Sequence, residues 1–263
     1  MDPYHNREQS ASPDTDRGEG MIEGRNAVTE ALRAGRPLDK VFIAKGETDA
    51  ALGHIASKAR QTGAVVVEAD RRKLDAMSVT HAHQGVIALA SIKSYVDIDD
   101  ILQIARDKNE LSLVILCDEV SDPHNLGAII RTAECTGAHG VIIPKRRSAG
   151  ITAVVSKTSA GAVEYMAVAR VANITAALNE LKKAGVWVYG ADADGESHLW
   201  QTDLTGPAAL VIGSEGGGLS RLVLENCDFK IRIPMVGKIS SLNASVSASV
   251  IMYEALRQRS TGI

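Results

Sequence analysis

Continuous apolar runs in the second half of the chain constrain its fold more than any other feature. Amphipathic segments such as NITAALNELKKAG lie between these runs. Strands that are apolar on both faces are typical of a parallel sheet covered by helices on both sides, so the pattern predicts an α/β fold. The five runs are LSLVILCD, GVIIP, VWVYGAD, AALVIGS and FKIRIP.

The chain divides into four predicted segments. Residues 1–20 are polar and have no periodicity, which predicts a disordered tail. Residues 21–92 alternate between amphipathic and short apolar segments, which predicts a small α/β unit. We interpret residues 93–110 as a linker that includes one amphipathic helix, and residues 111–263 as the unit that contains the parallel sheet.

The composition argues against several classes of protein. The chain has no run of about 18 apolar residues, so a membrane-spanning helix is not expected, and its first residues lack the apolar stretch of a secretory signal. Neither the number nor the spacing of the three cysteines indicates disulfide bonds or a metal site. They are Cys117, Cys135 and Cys227. His81 and His83 are interpreted as a loop pair. We therefore expect a cytoplasmic protein with reduced cysteines and no metal.

The charge of the chain is concentrated at its start. The formal net charge is -3, and residues 1–20 carry all of it, with five acidic and two basic side chains. Binding to a polynucleotide would therefore depend on local basic patches. Arg146, Arg147 and Lys157 are candidates for phosphate contacts, and an ordinary solvated surface is an equally good interpretation of these three residues.

Three of the apolar runs end in polar or glycine-rich segments. In open parallel sheets, ligands bind at the carboxyl ends of the strands, so these segments are expected to form a common site. The segments are EVSDPHNLGAIIRTAECTGA, SEGGGLS and MVGKISSLNASVSASVIMYEAL.

The glycine-rich segment begins at Gly213 and continues through residues 216–218. These glycines permit a positive φ and a close approach of the backbone to a ligand. Neither a dinucleotide motif nor a triphosphate P-loop fits, because residue 221 is Arg and no G-x-x-x-x-G-K-[ST] occurs. A tight connection alone would explain the glycines, but Glu215 among them favours a functional site.

The other two segments predict helices. In the first, Pro123 suits a helix start and Gly137 its end, and Arg131 lies away from the predicted apolar face of Leu126, Ile129, Ile130 and Ala133. Two structural interpretations remain open: Asn125 as no more than a helix cap, and Arg131 as an ordinary exposed residue.

In the second helix, Ser240 or Ser241 is the predicted cap. Its predicted apolar stripe consists of Leu242, Val246, Val250 and Tyr253. The many Ala and Ser residues make this helix slender enough to pack close to other backbone.

Taken together, NLGAIIRTAECTGA, LVIGSEGGGLS and IPMVGKISSLNASVSASVIMYE resemble the three ordered motifs of SpoU/TrmH-like 2′-O-ribose RNA methyltransferases of the SPOUT superfamily. SKTSAGAVEYMAVARV resembles a further family segment, so the resemblance covers roughly residues 111–260. The front unit, through GRNAVTEAL and HQGVIALA, is similar to the L30e-like RNA-binding domain of the family. The fold implied is a SPOUT domain with a parallel sheet and a deep trefoil knot, in a homodimer with the active site near the subunit interface.

The resemblance also implies a cofactor and a set of site residues. The cofactor is S-adenosylmethionine, and this reaction needs no metal. Cofactor-binding positions carried over from the family motifs are Gly213, Glu215, Gly216, Ile233, Met235 and Leu242. Catalytic positions are Asn125, Arg131, Glu215, Ser241 and Asn243.

Arg131 matches the residue proposed in relatives to assist deprotonation of the ribose hydroxyl. An arginine with a pKa above about 12 is a poor base, so binding of phosphate or of the developing oxyanion is an open alternative.

The implied activity is methyl transfer to a ribose 2′-hydroxyl of RNA. The two-unit layout is most similar to the enzymes that modify a guanosine in 23S rRNA, with ribosomal RNA or a large-subunit precursor as the partner. A tRNA 2′-O-methyltransferase or antibiotic-resistance rRNA methylase of the same family is one alternative. A non-catalytic RNA-binding factor in ribosome assembly is another.

Overall fold

The computed structural model describes residues 20–46 and 49–260. The chain forms two compact units, one ending at Ala90 and the other starting at Ser91. The predicted tail lies, apart from residue 20, outside the described residues.

The first unit is a four-stranded sheet with helices on both faces. Its strands are in the order β1-β4-β2-β3, with β2 and β3 parallel and the other pairs antiparallel. Val41 and Ile43 pack with the helices α1 and α2, whereas Phe42 between them packs with Leu74 of α3. This alternation follows from the two-residue period of a strand. The elements are β1 (Met21–Glu23), α1 (Arg25–Arg33), β2 (Leu38–Ala44), α2 (Ala50–Gln61), β3 (Val65–Ala69), α3 (Arg71–Met77) and β4 (Val86–Ala90).

The predicted loop pair in this unit has two different environments. His83 is buried, its Nε2 lies 2.8 Å from Oδ1 of Asp75, and its Nδ1 accepts the amide of Gly85 at 3.0 Å. His81 is exposed and has a φ of 56°. His83 therefore holds the loop before β4 against α3.

The second unit is a seven-stranded parallel sheet in the order β7-β6-β5-β10-β8-β11-β9. The prediction of a parallel α/β sheet is confirmed. Its helices are α4 (Ile98–Asp107), α5 (Pro123–Cys135), α6 (Ala153–Thr158), α7 (Ile174–Lys183), α8 (Arg221–Glu225) and α9 (Ala244–Arg259). Its strands are β5 (Leu113–Cys117), β6 (Gly140–Pro144), β7 (Val168–Val171), β8 (Trp187–Ala191), β9 (Ser197–His198), β10 (Ala208–Ile212) and β11 (Phe229–Arg232).

Both faces of this sheet are buried. Leu113 and Ile115 of β5 pack on one face with α5, α6 and α9, while Val114 and Leu116 pack on the other face with α4, α7 and α8. Each buried strand therefore needs apolar residues at consecutive positions, which explains the uninterrupted runs in the sequence.

The segment predicted to be a linker, residues 93–110, is instead part of the second unit. Within it, α4 begins after a capping box formed by Asp97 and Asp100, and Ile98 and Ile101 are buried in the core of that unit. Lys93 donates from Nζ to three backbone carbonyls at residues 163, 164 and 166. The amphipathic face of α4 therefore covers the sheet, and the boundary between the units lies at residues 90–91.

Candidate active site

A cleft of about 360 Å³ opens at the carboxyl ends of neighbouring strands in the second unit. Its walls are the loop after β10, the ends of β8 and β11, and the segment that leads into α9. All six predicted cofactor residues line this cleft, as does Ser241. The strand order brings these segments together, because β8 lies between β10 and β11.

Gly213 is required by close packing within the loop after β10. Ser214 and Gly218 exchange two backbone hydrogen bonds of 3.0 Å, which closes a tight turn. A Cβ on Gly213 would lie 2.2 Å from the carbonyl carbon of Gly218, so no side chain fits there.

The predicted positive φ angles occur at two of the four glycines. Gly216 has a φ of 80° and Gly218 of 63°. Gly213 and Gly217 do not have a positive φ. The turn therefore uses its glycines for two separate reasons, left-handed backbone and close approach.

Three predicted catalytic side chains form one hydrogen-bonded network beside the cleft. Nδ2 of Asn243 donates to Oε1 of Glu215 at 2.7 Å and to Oδ1 of Asn125 at 3.0 Å. Nδ2 of Asn125 donates to Oε2 of Glu215 at 3.3 Å. Both oxygens of the carboxylate are thus held by neutral amides from two helices.

The orientation of this network is set by the start of α9. Oδ1 of Asn243 accepts the amides of Ser245 and Val246 at 2.9 and 3.3 Å, so Asn243 is the helix cap. Because its oxygen faces the helix, its nitrogen must face Glu215. The prediction that Ser240 or Ser241 caps the helix is wrong, because the helix begins only at Ala244.

The predicted apolar stripe of α9 is wrong at three of its four positions, since only Val250 packs, partly buried, against the core. The fully buried apolar residues of α9 beside the sheet and α5 are Ala244, Ala248, Ile251, Met252 and Ala255. Val246 and Tyr253 are 47% and 52% exposed. The small side chains allow a close approach to α5, where Oγ of Ser249 lies 3.0 Å from Oγ1 of Thr132.

The first motif forms α5 as predicted, with a different cap. Oδ1 of Asp122 accepts the amide of His124 at 2.9 Å, Pro123 is the first helical residue, and Gly137 follows the helix with a φ of 72°. Asn125 is therefore inside the helix, and it is buried. A Cβ on Gly127 would lie 1.9 Å from Oγ1 of Thr158, so α6 packs directly against this turn of α5.

Arg131 does not join the network described above. It is exposed on α5, and it does not line the cleft. The predicted apolar face of this helix is confirmed, since Leu126, Ile129, Ile130 and Ala133 are fully buried.

The three predicted RNA contacts differ in their surroundings. Nη1 of Arg147 lies 2.8 Å from Oε1 of Glu119, and both residues have a left-handed backbone, with φ of 56° and 58°. Arg146 and Lys157 are exposed. Arg147 is therefore already bound to a carboxylate, whereas Arg146 projects from the surface after β6.

Two residues near the cleft were missed by the sequence analysis. Oδ2 of the buried Asp118, directly after β5, accepts the amide of Ser220 at 2.7 Å and so fixes the far end of the glycine loop. Asp192, directly after β8, lines the cleft. Both could have been found as carboxylates at the ends of buried runs, LSLVILCD and VWVYGAD.

Thiol chemistry at the site is disfavoured. Burial raises the pKa of Cys117, at the end of β5, to about 12, and burial likewise raises the pKa of Cys227 to about 12. Among residues 20–46 and 49–260, no cluster of three or more His, Cys, Asp or Glu side chains could hold a metal ion. Nor does this part of the chain contain a helix long and apolar enough to cross a membrane.

Two family models match the chain, one for each unit. The model described as the SpoU rRNA Methylase family matches residues 112–253. The model described as RNA 2′-O ribose methyltransferase substrate binding matches residues 21–96.

Known proteins resemble the chain over most of its length or over about half of it. A Bacillus subtilis protein named as a TrmH family tRNA/rRNA methyltransferase is 46% identical over 90% of this chain and 95% of its own. The SpoU methyltransferase AviRb from Streptomyces viridochromogenes, solved with AdoMet, is 28% identical, with a TM-score of 0.59 over 95% of this chain and 93% of its own.

A structure described as showing 2-OH methylation of C/U34 on tRNA is 26% identical, with a TM-score of 0.52 over 56% of this chain and 95% of its own. The chain therefore belongs to the SpoU/TrmH family of RNA methyltransferases, whose methyl donor is S-adenosylmethionine.

Proposed function

We propose that this protein transfers the methyl group of S-adenosylmethionine to a ribose 2′-hydroxyl, and that its substrate is a guanosine of 23S rRNA. The observation that carries the proposal is the network of Asn125, Glu215 and Asn243 at the edge of the cleft. Three side chains from separate motifs converge there, as a site assembled for chemistry requires.

The cleft suits the cofactor in its shape and its donors. Gly213 has no side chain at a position where a Cβ would clash with the backbone of the loop. The apolar side chains of Ile233 and Leu242 provide a surface against which the cofactor can pack. We place S-adenosylmethionine in this cleft, where it supplies an activated methyl group. Gly216 and Met235 complete the wall, and Ser241 offers a hydroxyl at the mouth.

The network has a positioning role in this proposal. Glu215 holds the amides of Asn125 and Asn243 in one orientation, and Asn243 in turn fixes the start of α9. A site that is already oriented avoids reorganisation during the reaction. Arg131, exposed on α5, stabilises the negative charge that develops on the 2′-oxygen as its proton leaves.

A homodimer would bring Arg131 and the cleft into one site. The outward side of α9 and the segment before it expose apolar side chains, among them Val236, Ile239, Val246 and Tyr253. Such surface is typical of protein interfaces. We propose that two copies pack through this surface, and that the segment from β10 to α9 forms the trefoil knot of the family.

The first unit supports a ribosomal substrate. It matches a substrate-binding model of RNA 2′-O methyltransferases, and the tRNA-related structure has its counterpart in only 56% of this chain. We assign RNA recognition to this L30e-like unit together with Arg146 and Lys157, in the cytoplasm, with 23S rRNA or a large-subunit precursor as the partner. The name of the Bacillus subtilis relative, which includes tRNA, makes tRNA the rival substrate.

The test is transfer of labelled methyl from S-adenosylmethionine to purified 23S rRNA, large-subunit precursor particles and total tRNA, with the product mapped by ribose-methylation footprinting. We expect one 2′-O-methylguanosine in 23S rRNA, reduced at least about a hundredfold by Asn125→Ala. The matched control is Asn226→Ala, which removes a half-buried amide of the same unit outside the cleft lining and should keep full activity. A mark in tRNA alone would contradict the substrate, and cofactor binding without any transfer would favour a non-catalytic RNA-binding factor.

A further inference from the structure

The charged side chains that line the cleft are both carboxylates. They are Asp192, at the end of β8, and Glu215, in the loop after β10. No Lys, Arg or His is among the described residues that form its walls. The side chains that line the cleft therefore carry a net negative charge, and low-dielectric walls strengthen the field of such charges.

Asp192 is held in a defined position at the cleft wall. Its amide donates to the carbonyl of Ile231 at 2.9 Å, which continues the pairing of β8 with β11. Its Oδ1 accepts the amide of Asp194 at 3.3 Å. Asp192 is half-buried and lines the cleft.

Neither carboxylate is neutralised by a cationic side chain of the described residues. Glu215 is bound by the amide groups of Asn125 and Asn243, which carry no charge. The partner found for the Asp192 carboxylate is a backbone amide. Within one copy of the chain, both negative charges are therefore available to a ligand in the cleft.

Methyl transfer changes the charge of the cofactor. The S–CH₃ bond of the sulfonium breaks and its electron pair stays on sulfur, the 2′-oxygen forms the new O–CH₃ bond, and the hydroxyl proton passes to solvent water. S-adenosylmethionine is positively charged at sulfur, whereas its product S-adenosylhomocysteine is neutral there. A negative cleft attracts the first more strongly than the second.

We propose that Asp192 is a specificity-determining residue which, together with Glu215, favours the cationic cofactor over its neutral product. This inference rests on the placement of S-adenosylmethionine in the cleft under the proposed function. The charge pattern promotes exchange of the product for a new cofactor, because the attraction disappears when the methyl group leaves.

The test compares the dissociation constants of S-adenosylmethionine and S-adenosylhomocysteine by titration calorimetry on the full chain, without RNA. Asp192→Asn removes the charge and keeps the shape. We expect it to weaken S-adenosylmethionine about tenfold, equivalent to about 1.4 kcal/mol, and S-adenosylhomocysteine no more than about twofold.

Two further variants make the result specific. Asp194→Asn removes a charge from the same loop at an exposed position outside the cleft lining, and we expect the ratio of the two constants to stay within about twofold of the original protein. Asp192→Glu restores the charge and should restore the ratio even where the longer side chain weakens both ligands.

Two results would overturn the inference. One is an equal weakening of both ligands by Asp192→Asn, and the other is no effect on either. If the unmodified protein binds neither ligand, the proposed function fails as well, and this outcome is distinct because it appears before any substitution is made.

Discussion

Nδ2 of Asn243 lies 2.7 Å from Oε1 of Glu215, while Oδ1 of Asn243 caps α9. A single amide therefore fixes both the start of a helix and the orientation of a carboxylate at the cleft. The two tasks can be separated by substitution, because an aspartate retains the capping oxygen and loses the donor.

Asn243→Asp should impair catalysis much more than stability. The new carboxylate would face Glu215 within hydrogen-bond distance, and like charges repel. We expect methyl transfer to fall at least about a hundredfold, with the free energy of unfolding changed by about 1 kcal/mol or less. Single-turnover methyl transfer and urea denaturation measure the two effects. Asn243→Ala is the comparison, since it also removes the cap; equal activity of Asn243→Asp and the original protein would contradict the role of the network.

Gly213→Ala should weaken cofactor binding. The added Cβ would lie 2.2 Å from backbone atoms of Gly218, so the loop must move and the cleft change shape. We expect at least about tenfold weaker binding of S-adenosylmethionine, or about 1.4 kcal/mol, by calorimetry. Gly206→Ala is a matched control, because a Cβ there meets nothing within 4 Å. Normal binding by Gly213→Ala would show that the cofactor does not use this loop.

His139 should make the protein less stable in acid. Burial lowers the pKa of its imidazole, against the opposing effect of its hydrogen bond with Glu110, and Nδ1 accepts the amide of Leu113 at 3.0 Å. The unfolded chain therefore binds a proton more readily than the folded one. This contribution to the free energy of unfolding is complete above about pH 6.5, the pKa of a histidine in the unfolded chain, and is lost as the pH falls below that value.

The measurement is the free energy of unfolding in urea at about pH 8 and about pH 5.5, on either side of the unfolded histidine pKa. The original protein should lose more stability between these two values than His139→Gln, which has no titrating group at this position. His54→Gln, the same substitution at an exposed residue of α2, is the control for the loss of a histidine side chain. An unchanged pH dependence in His139→Gln would contradict the prediction.

Val246→Asp should convert the proposed homodimer into a monomer. Val246 is 47% exposed on the outward side of α9, so the monomer tolerates a charge there, whereas an apolar interface does not. Light scattering coupled to size-exclusion chromatography should show the mass of one chain. Leu222→Asp, at an exposed residue of α8, should leave the mass of the dimer unchanged. A monomeric unmodified protein, or a dimeric Val246→Asp, would refute this interface.

The sequence predicted local features with a strong period well. The apolar runs became the buried strands of a parallel sheet, and the apolar face of α5 is buried as expected. The prediction of the apolar stripe of α9 is wrong because a helix rich in Ala and Ser has little amphipathic contrast. The sequence pattern therefore predicts its larger side chains to be the buried ones. Ala244, Ala248 and Ala255 are buried together with Ile251 and Met252, because the small residues permit close contact with α5 and the sheet.

The sequence by itself determined the family, the parallel sheet and the residue types at the strand ends, because these depend on motif order and on hydrophobic period. Only the tertiary structure decided which of those residues meet. Asn125 and Asn243 are far apart in the chain and become hydrogen-bonded because β5 and β10 are neighbours and α9 packs on α5. Asp192 joins the cleft for the same physical reason, since strand order rather than sequence distance places β8 beside β10.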